Sequence, residues 1–194
     1  MEYTIRTAKK EEAGRIARLI IMAMTEECCL HFCGPHHDID DFHRVMTRLV
    51  ERDDTQYSHL NTIVACPKDQ PDNVVGICVS YDGGHLHRLR QPFIDTAKEE
   101  WDMDHSGIPD ETEAGELYID SLAVSPDHRG NGIASLLLKA TIDKARRMGI
   151  GRTGLLVDTG NPRAEALYTR LGFRCVGTNS WGGHPMRHLV YDNQ

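Results

Sequence analysis

Residues 125–139 read SPDHRGNGIASLLLK, and this run joins two elements of different kinds. Before it, Glu116–Val124 has the pattern of a β-strand. After it, apolar residues recur at α-helical spacing until about Met148, and Gly149 follows as a helix-ending residue. The sequence therefore predicts a strand, a glycine-containing turn and a helix that begins near Gly132.

The turn has the properties of a phosphate-binding site. The first N–H groups of a helix have no backbone partners and lie at the positive end of the helix dipole. Gly130 and Gly132 allow positive φ and a close approach to a bulky anion, and Arg129 adds a positive charge. Lys139 lies too far along for a P-loop, and GNGIAS lacks the third glycine of a dinucleotide fingerprint. A tight turn without a ligand is the alternative.

Two blocks of sequence follow a recognisable pattern. One is the triplet at residues 122–124 followed by R-x-x-G-x-A, and the other is N-x-x-A-x-x-L-Y-x-x-x-G-F at residues 161–173. The matching positions are Arg129, Gly132, Ala134, Asn161, Ala164, Leu167, Tyr168, Gly172 and Phe173. In order and approximate spacing, these blocks resemble the GNAT superfamily of N-acetyltransferases. The resemblance covers residues 116–176 well and residues 1–24 loosely, whereas residues 25–60 and 82–112 carry no signature.

The resemblance implies a fold and a cofactor. The fold would be mixed α/β (α+β), with a mostly antiparallel central sheet, a V-shaped splay between two parallel strands, and flanking helices. At a bulge, Ile119–Val124 would separate from Gly154–Val157, and the thioester of acetyl-CoA would lie in the opening. The implied cofactor contacts are Leu122, Ala123, Val124, Arg129, Gly130, Asn131, Gly132, Ile133, Ala134, Ser135, Asn161 and Tyr168.

Two residues of the second block are implied to act near the thioester. Asn161 and Tyr168 are seven residues apart, about two helical turns, so they share a face. In the family, this tyrosine points at the thioester sulfur and protonates the leaving thiolate. The alternatives are a core aromatic for Tyr168 and a helix cap for Asn161, which is also compatible with contact to the cofactor.

The acceptor side needs a base, because an alkylammonium with a pKa of about 10 must lose a proton before it attacks. Alternation places Glu116, Tyr118 and Asp120 on one face of their strand. Asp120 is the first candidate, since a carboxylate in an apolar strand is costly unless it is used or paired. A structural hydrogen bond is the alternative for Asp120.

Three other positions complete the predicted acceptor side. Glu116, nearer the start of the strand and expected to be solvated, is the second candidate for the base. Tyr118 is predicted to line the acceptor pocket. Leu156 stands where some members of the family carry a glutamate, which moves the prediction toward Asp120.

The remaining elements are predicted from periodicity and turn residues. Helices are expected at residues 9–24, 40–52 and 161–171, with Thr7 capping the first of them. Strands are expected at residues 2–6, 61–66, 74–81, 154–157, 173–177 and 186–191. Residues 82–112 are polar and weakly helical at 93–101, and they are predicted to be an insertion or lid. With no linker to divide the chain, residues 1–194 are expected to form one N-acetyltransferase domain.

Two histidine-containing segments are further candidates. Residues 31–43 hold several His and Asp residues, but their spacing fits no standard zinc site, so no metal is predicted and a polar loop between two helices is expected. Residues 181–184 resemble the family's loop over the acceptor, which makes His184 a candidate substrate contact. His184 or His188 is a candidate acid, base or ligand.

Composition limits the partners. A net charge of −7 argues against a nucleic-acid partner, and no apolar run is long enough to span a membrane. Six cysteines without a CxxC pair indicate reduced thiols and a cytoplasmic protein. The expected acceptor is a small-molecule amine or a peptide amine, with no appended domain to recruit a macromolecule. The resemblance is also compatible with a homodimer formed through the C-terminal strands.

The predicted function is transfer of an acetyl group from acetyl-CoA to a primary amine, by direct attack on the thioester in a ternary complex. Two alternatives stay open at this point. One is a non-catalytic acyl-CoA-binding module, and the other is a transferase of a longer acyl group.

Overall fold

The computed structural model describes residues 2–194, which contain seven β-strands and six α-helices. The strands are β1 (Tyr3–Thr7), β2 (Thr62–Pro67), β3 (Gly76–Asp82), β4 (Glu116–Val124), β5 (Arg152–Asp158), β6 (Arg174–Trp181) and β7 (His184–Asp192). The helices are α1 (Ala13–Met24), α2 (Glu26–Cys33), α3 (Ile39–Glu51), α4 (Leu86–Trp101), α5 (Ile133–Arg147) and α6 (Pro162–Arg170).

All seven strands belong to one sheet, in the order β1-β2-β3-β4-β5-β7-β6. Every neighbouring pair is antiparallel except β4 and β5, which are parallel. The predicted fold class is therefore confirmed. The single parallel pair, β4 and β5, lies in the middle of the sheet.

Two apolar layers cover the sheet. Helices α1 to α4 pack on one face, and their core includes Ile20, Phe42 and Phe93. Helix α5 packs on the other face, where Leu137 and Leu138 are buried and side chains of α6 join them. Successive residues of a strand point to opposite faces, so each site residue on β4 is assigned to one of these two layers.

The structure corrects two predictions near the N-terminus of the chain. Thr7 lies in β1 and does not cap a helix; instead a short 3₁₀ turn, Lys10–Glu12, precedes α1. The Glu12 carboxylate accepts a hydrogen bond from the Lys9 N–H at 2.7 Å and pairs with Arg6. The Glu12 side chain therefore pairs with a backbone N–H group at the start of this turn, and the expected threonine cap is absent there.

The predicted polar loop at residues 31–43 is also wrong for most of its length. Helix α2 extends to Cys33, with Cys29, Phe32 and Cys33 buried against the core. Helix α3 begins at Ile39, where the Asp38 side chain accepts hydrogen bonds from two backbone N–H groups. Only the few residues between these helices form a loop.

Residues 82–112 contain more regular structure than their polar composition indicates. Helix α4 is 16 residues long and buries Leu89, Phe93, Ala97 and Trp101. After α4 the chain returns to β4 through a segment that places Glu111 in the interior. The interpretation of this region as an insertion or lid stays a prediction.

None of the helices within residues 2–194 is long and apolar enough to cross a bilayer.

Candidate active site

The central feature of the site is an opening between β4 and β5. Their parallel pairing runs from Glu116 opposite Arg152 to Ile119 opposite Leu155 and ends there. On the other side of β4, Val79 of β3 pairs with Ser121 and Ser80 pairs with Ile119, which makes Asp120 an extra residue in the strand. A bulge of this kind bends its strand and increases its twist. The two parallel strands consequently diverge after Ile119, as the resemblance implies.

The glycine-containing turn lies at the end of β4. Gly130 and Gly132 have φ values of 78° and 76°, which side-chain-bearing residues rarely adopt. A Cβ at either position would meet nothing within 4 Å, so the requirement for glycine is conformational and the space beside the turn is open. Gly132 precedes the first turn of α5 and offers no side-chain cap, which leaves the N–H groups there for another acceptor.

A cavity of about 320 Å³ adjoins this turn. It is lined by residues of β4, the turn, α5 and α6: Val124, His128, Arg129, Gly130, Gly132, Ile133, Ala134, Ser135, Leu167 and Arg170. A larger cavity of about 560 Å³ lies elsewhere, between charged side chains of α3 and α4, and contains none of the predicted site residues. Uncapped N–H groups, positive-φ glycines and an adjacent cavity together fit a pyrophosphate.

The side chains of the turn have local partners. Arg129 Nε donates to the Val124 carbonyl at 3.1 Å, and Arg129 Nη2 lies 3.4 Å from Met22 Sδ. Asn131 Nδ2 donates to the carbonyls of His128 and Arg129. These contacts brace the turn. Arg170 also lines the cavity, and sequence reasoning missed it because it occupies an unspecified position of the second block, between Tyr168 and Gly172.

The carboxylate of Asp120 is held on the bulge by two donors. Gln56 Nε2 donates to one oxygen at 3.0 Å, and Ser121 Oγ donates to the other at 2.8 Å. Burial raises the pKa of Asp120 to about 7, and the nearby Glu111 carboxylate adds to the increase against the effect of the two hydrogen bonds. Asp120 therefore changes its charge near neutral pH, as a general base requires.

Glu116 contradicts the expectation of a solvated side chain, because it is completely buried. Thr112 Oγ1 donates to one oxygen at 2.6 Å, and His188 Nε2 lies 3.0 Å from the other. The carboxylate occupies space that Gly154 leaves free, since a Cβ there would lie 2.2 Å from Glu116 Oε2. Glu116 is thus fixed by β5, β7 and the segment before β4.

Tyr118 is buried on the α4 side of the sheet. Its ring meets that of Tyr81 edge to face, with 5.8 Å between the centroids, and both belong to a small cluster with Leu86 and Leu89. Tyr81 donates to Glu111 Oε1 at 3.0 Å, and Glu111 is ion-paired with buried Arg90. The interior next to Asp120 therefore contains an ordered network of polar side chains.

The two residues of the second block lie on α6. Asn161 Oδ1 accepts a hydrogen bond from the Ala164 N–H at 3.2 Å, so it caps this helix. Tyr168 is half-buried and packs edge to face against Phe173, with 5.9 Å between the ring centroids. Burial raises the pKa of the Tyr168 phenol, which keeps its proton in place at neutral pH.

The remaining candidate, His184, lies in the β6–β7 hairpin. His184 is exposed, with Nδ1 3.4 Å from Asp158 Oδ2. In the same hairpin, Trp181 packs against Phe32 with 5.9 Å between the ring centroids. No group of three or more His, Cys, Asp or Glu side chains in residues 2–194 has the arrangement of a metal site.

Comparisons with known proteins identify the class. The profile of the acetyltransferase (GNAT) family matches residues 33–173, and the chain belongs to this family. A crystal structure described as an acetyltransferase superposes with a TM-score of 0.80 at 26% identity, over 98% of this chain and 100% of the other.

Two curated relatives match over shorter stretches. Mycothiol acetyltransferase of Beutenbergia cavernae is 36% identical over 78 residues, which are 40% of this chain and 25% of that protein. Streptothricin acetyltransferase of Streptomyces lavendulae is 39% identical over 64 residues, 33% of this chain and 34% of that protein. The matched segment spans only about a quarter to a third of these relatives.

Proposed function

We propose that the protein transfers an acetyl group from acetyl-CoA to a primary amine by direct attack on the thioester. The proposal is supported chiefly by the opening between β4 and β5, where the bulge carries a carboxylate with a pKa of about 7. An acyl donor that enters along β4 would bring its reacting carbon to this opening, beside that carboxylate.

The cofactor would bind along β4 and the turn that follows it. The N–H groups between Arg129 and Ser135 would hold the pyrophosphate at the positive end of α5. Beyond Ile119, β4 has no β5 partner within residues 2–194, so its backbone on that side, apart from the Val124 carbonyl that Arg129 contacts, would pair with an extended pantetheine arm. Arg170 supplies a further positive charge at the cavity.

The chemistry requires a proton acceptor for the amine and a proton donor for the thiolate. Asp120 would accept a proton from the attacking nitrogen, because it is ionised above a pH of about 7 and is held in place by Gln56 and Ser121. Tyr168 would protonate the sulfur as the C–S bond breaks, since its burial keeps the phenol protonated.

The acceptor is an amine of a small molecule or of a peptide. Two relatives are named mycothiol acetyltransferase and streptothricin acetyltransferase, and membership of the same family supports an acetyl transfer by the present chain. The Asp120 carboxylate favours an amine as the acceptor, because it is the acidic group at the opening that has no cationic partner of its own among the described residues, whereas Glu111 is paired with Arg90.

The direct test measures acetyl-CoA binding by calorimetry and then thiol release with a panel of amines and peptides. Gly132→Ala should weaken binding about 5- to 30-fold, because a left-handed residue with a Cβ costs about 1–2 kcal/mol. Gly107→Ala is the matched control, since Gly107 has ordinary φ and open surroundings. Binding without thiol release from any acceptor would favour a non-catalytic module, and absence of binding would refute the cofactor site.

A further inference from the structure

A buried carboxylate paired with a histidine lies near the opening, and this pair has no part in the function proposed so far. It consists of Glu116 on β4 and His188 on β7, joined across β5 by the 3.0 Å contact between Oε2 and Nε2. The two residues are 72 positions apart in the chain. The missing Cβ of Gly154 on the intervening strand leaves the space in which they meet.

The two members of the pair have different environments. Glu116 is completely buried, and Thr112 holds its other oxygen at 2.6 Å. The His188 side chain is 23% exposed, and the described residues place no hydrogen-bond partner on its Nδ1. The carboxylate is therefore the anchored member, and the imidazole is the member that a substrate or solvent can reach.

His188 lies beside the point in the sheet at which β4 and β5 separate. It pairs with Leu156, the first β5 residue beyond the last pair with β4. The next residue, Leu189, is buried in the α5 layer, so His188 lies on the opposite face of the sheet. Leu156 packs with Tyr118 on that same face. The imidazole thus lies on the predicted acceptor side, one strand away from the opening.

The proton balance of the reaction provides a role for the pair. An alkylammonium loses one proton before its lone pair can attack and a second when the amide forms, while the C–S bond breaks and the thiolate gains one. Net, one proton leaves for each amide formed. Two proton acceptors and one donor are needed, and the proposed function uses Asp120 and Tyr168 only.

On the basis of the proposed function, we propose that His188 accepts the first proton, from the incoming ammonium, and that Glu116 positions its imidazole. Asp120 then accepts the second proton as the N–C bond forms, and Tyr168 donates to the sulfur. His188 and Asp120 return their protons to solvent, one of which restores Tyr168. His188 is a catalytic residue in this scheme, and Glu116 is a positioning residue.

The test compares two acceptors of the same shape and different basicity at one pH. The probes are the best amine of the panel and its analogue fluorinated next to the nitrogen, chosen to be neutral at the assay pH. His188→Gln retains a donor toward Glu116 but cannot take up a proton. His87→Gln is the matched control, because the His87 side chain is 81% exposed on α4.

His188→Gln should lower kcat/KM for the basic amine by about 100-fold or more and leave the neutral amine within about threefold of wild type. Asp120→Asn should lower both values alike. The ratio of the two amines within one variant is insensitive to partial misfolding. Equal losses for both amines, or no loss for the basic one, would overturn the role of His188 while leaving acetyl transfer intact. A wild-type protein without thiol release would refute the proposed function itself.

Discussion

Replacing Gln56 by Leu should move the pH at which the enzyme becomes active. Gln56 Nε2 donates to Asp120 Oδ2 at 3.0 Å and thereby favours the ionised carboxylate. A hydrogen bond to a charged group contributes about 1.5–3 kcal/mol, and one pKa unit corresponds to about 1.36 kcal/mol. Loss of this bond should therefore raise the pKa of Asp120 from about 7 by about 1–2 units.

The assay is the pH dependence of kcat/KM, with a nonbasic amine so that ionisation of the acceptor does not contribute. The acid limb should move from about 7 to about 8–9. At pH 7 the ionised fraction falls from about a half to about 1–10%, so the rate falls about 5- to 50-fold and recovers at high pH. The substitution breaks no other side-chain hydrogen bond of Gln56, because its Oε1 has no partner among the described residues.

Gln91→Leu is the matched control for this experiment. Gln91 Nε2 donates to Asp95 at 2.8 Å on the exposed surface of α4, so the substitution removes the same kind of bond away from the site. The control substitution should leave the acid limb of the pH profile of kcat/KM unchanged. A Gln56→Leu profile that coincides with wild type, or that moves to lower pH, would refute the assignment of the limb to Asp120.

Two further predictions concern stability. The folded-state pKa of Asp120 lies above the ordinary value, so the folded chain binds more protons than the unfolded chain between about pH 4 and 7. Its contribution to stability is present at low pH and is lost as the pH rises through about 7. Between pH 5 and pH 8, wild type should lose about 2–3 kcal/mol of unfolding free energy relative to Asp120→Asn, and parallel behaviour of the two proteins in denaturation would contradict this. Gly154→Ala should destabilise the fold by about 2–5 kcal/mol, because the added Cβ displaces the Glu116 carboxylate from its partners. Urea unfolding against Gly177→Ala, a strand glycine with open surroundings, measures the difference, and equal midpoints would argue against the buried position of Glu116.

The sequence predicts well those parts of the fold that are determined by residues close together in the chain. Gly130 and Gly132 mark the turn before α5, and Asn161 caps the helix that follows β5. Each of these residues acts within a few positions of itself, so its effect can be deduced from the chain alone. The bulge and the splay followed from the family resemblance, since no single residue type encodes them.

The missed features depend on contacts between distant residues. Helix α2 begins at Glu26, after Thr25, which has a φ of 76° and whose hydroxyl accepts a hydrogen bond from the Cys28 N–H. The helix has only eight residues, which are too few to show a clear helical period, so its buried face is not evident from the sequence. The pairing of Arg90 with Glu111 links α4 to the segment before β4. Both lie in regions without a family signature.

The error on Glu116 has a similar cause. Its position near the start of a strand indicates exposure, but Thr112 covers it and Gly154 leaves room for it beside β5. A glycine on a neighbouring strand is a signal for such a buried side chain only when the register between the strands is known. The contact with His188, 72 residues away, was beyond sequence reasoning for the same reason.

The extra residue in β4 has an evolutionary consequence. Asp120 supplies both the bulge that parts the strands and the carboxylate at the opening. Deleting this codon would restore regular pairing with β3 and remove the cleft together with the acidic group, whereas exchanging the side chain would keep the cleft and lose only the acid. Descendants of this chain that abandon turnover by point substitution would therefore retain the architecture for holding the acyl donor, and a deletion would erase both properties at once.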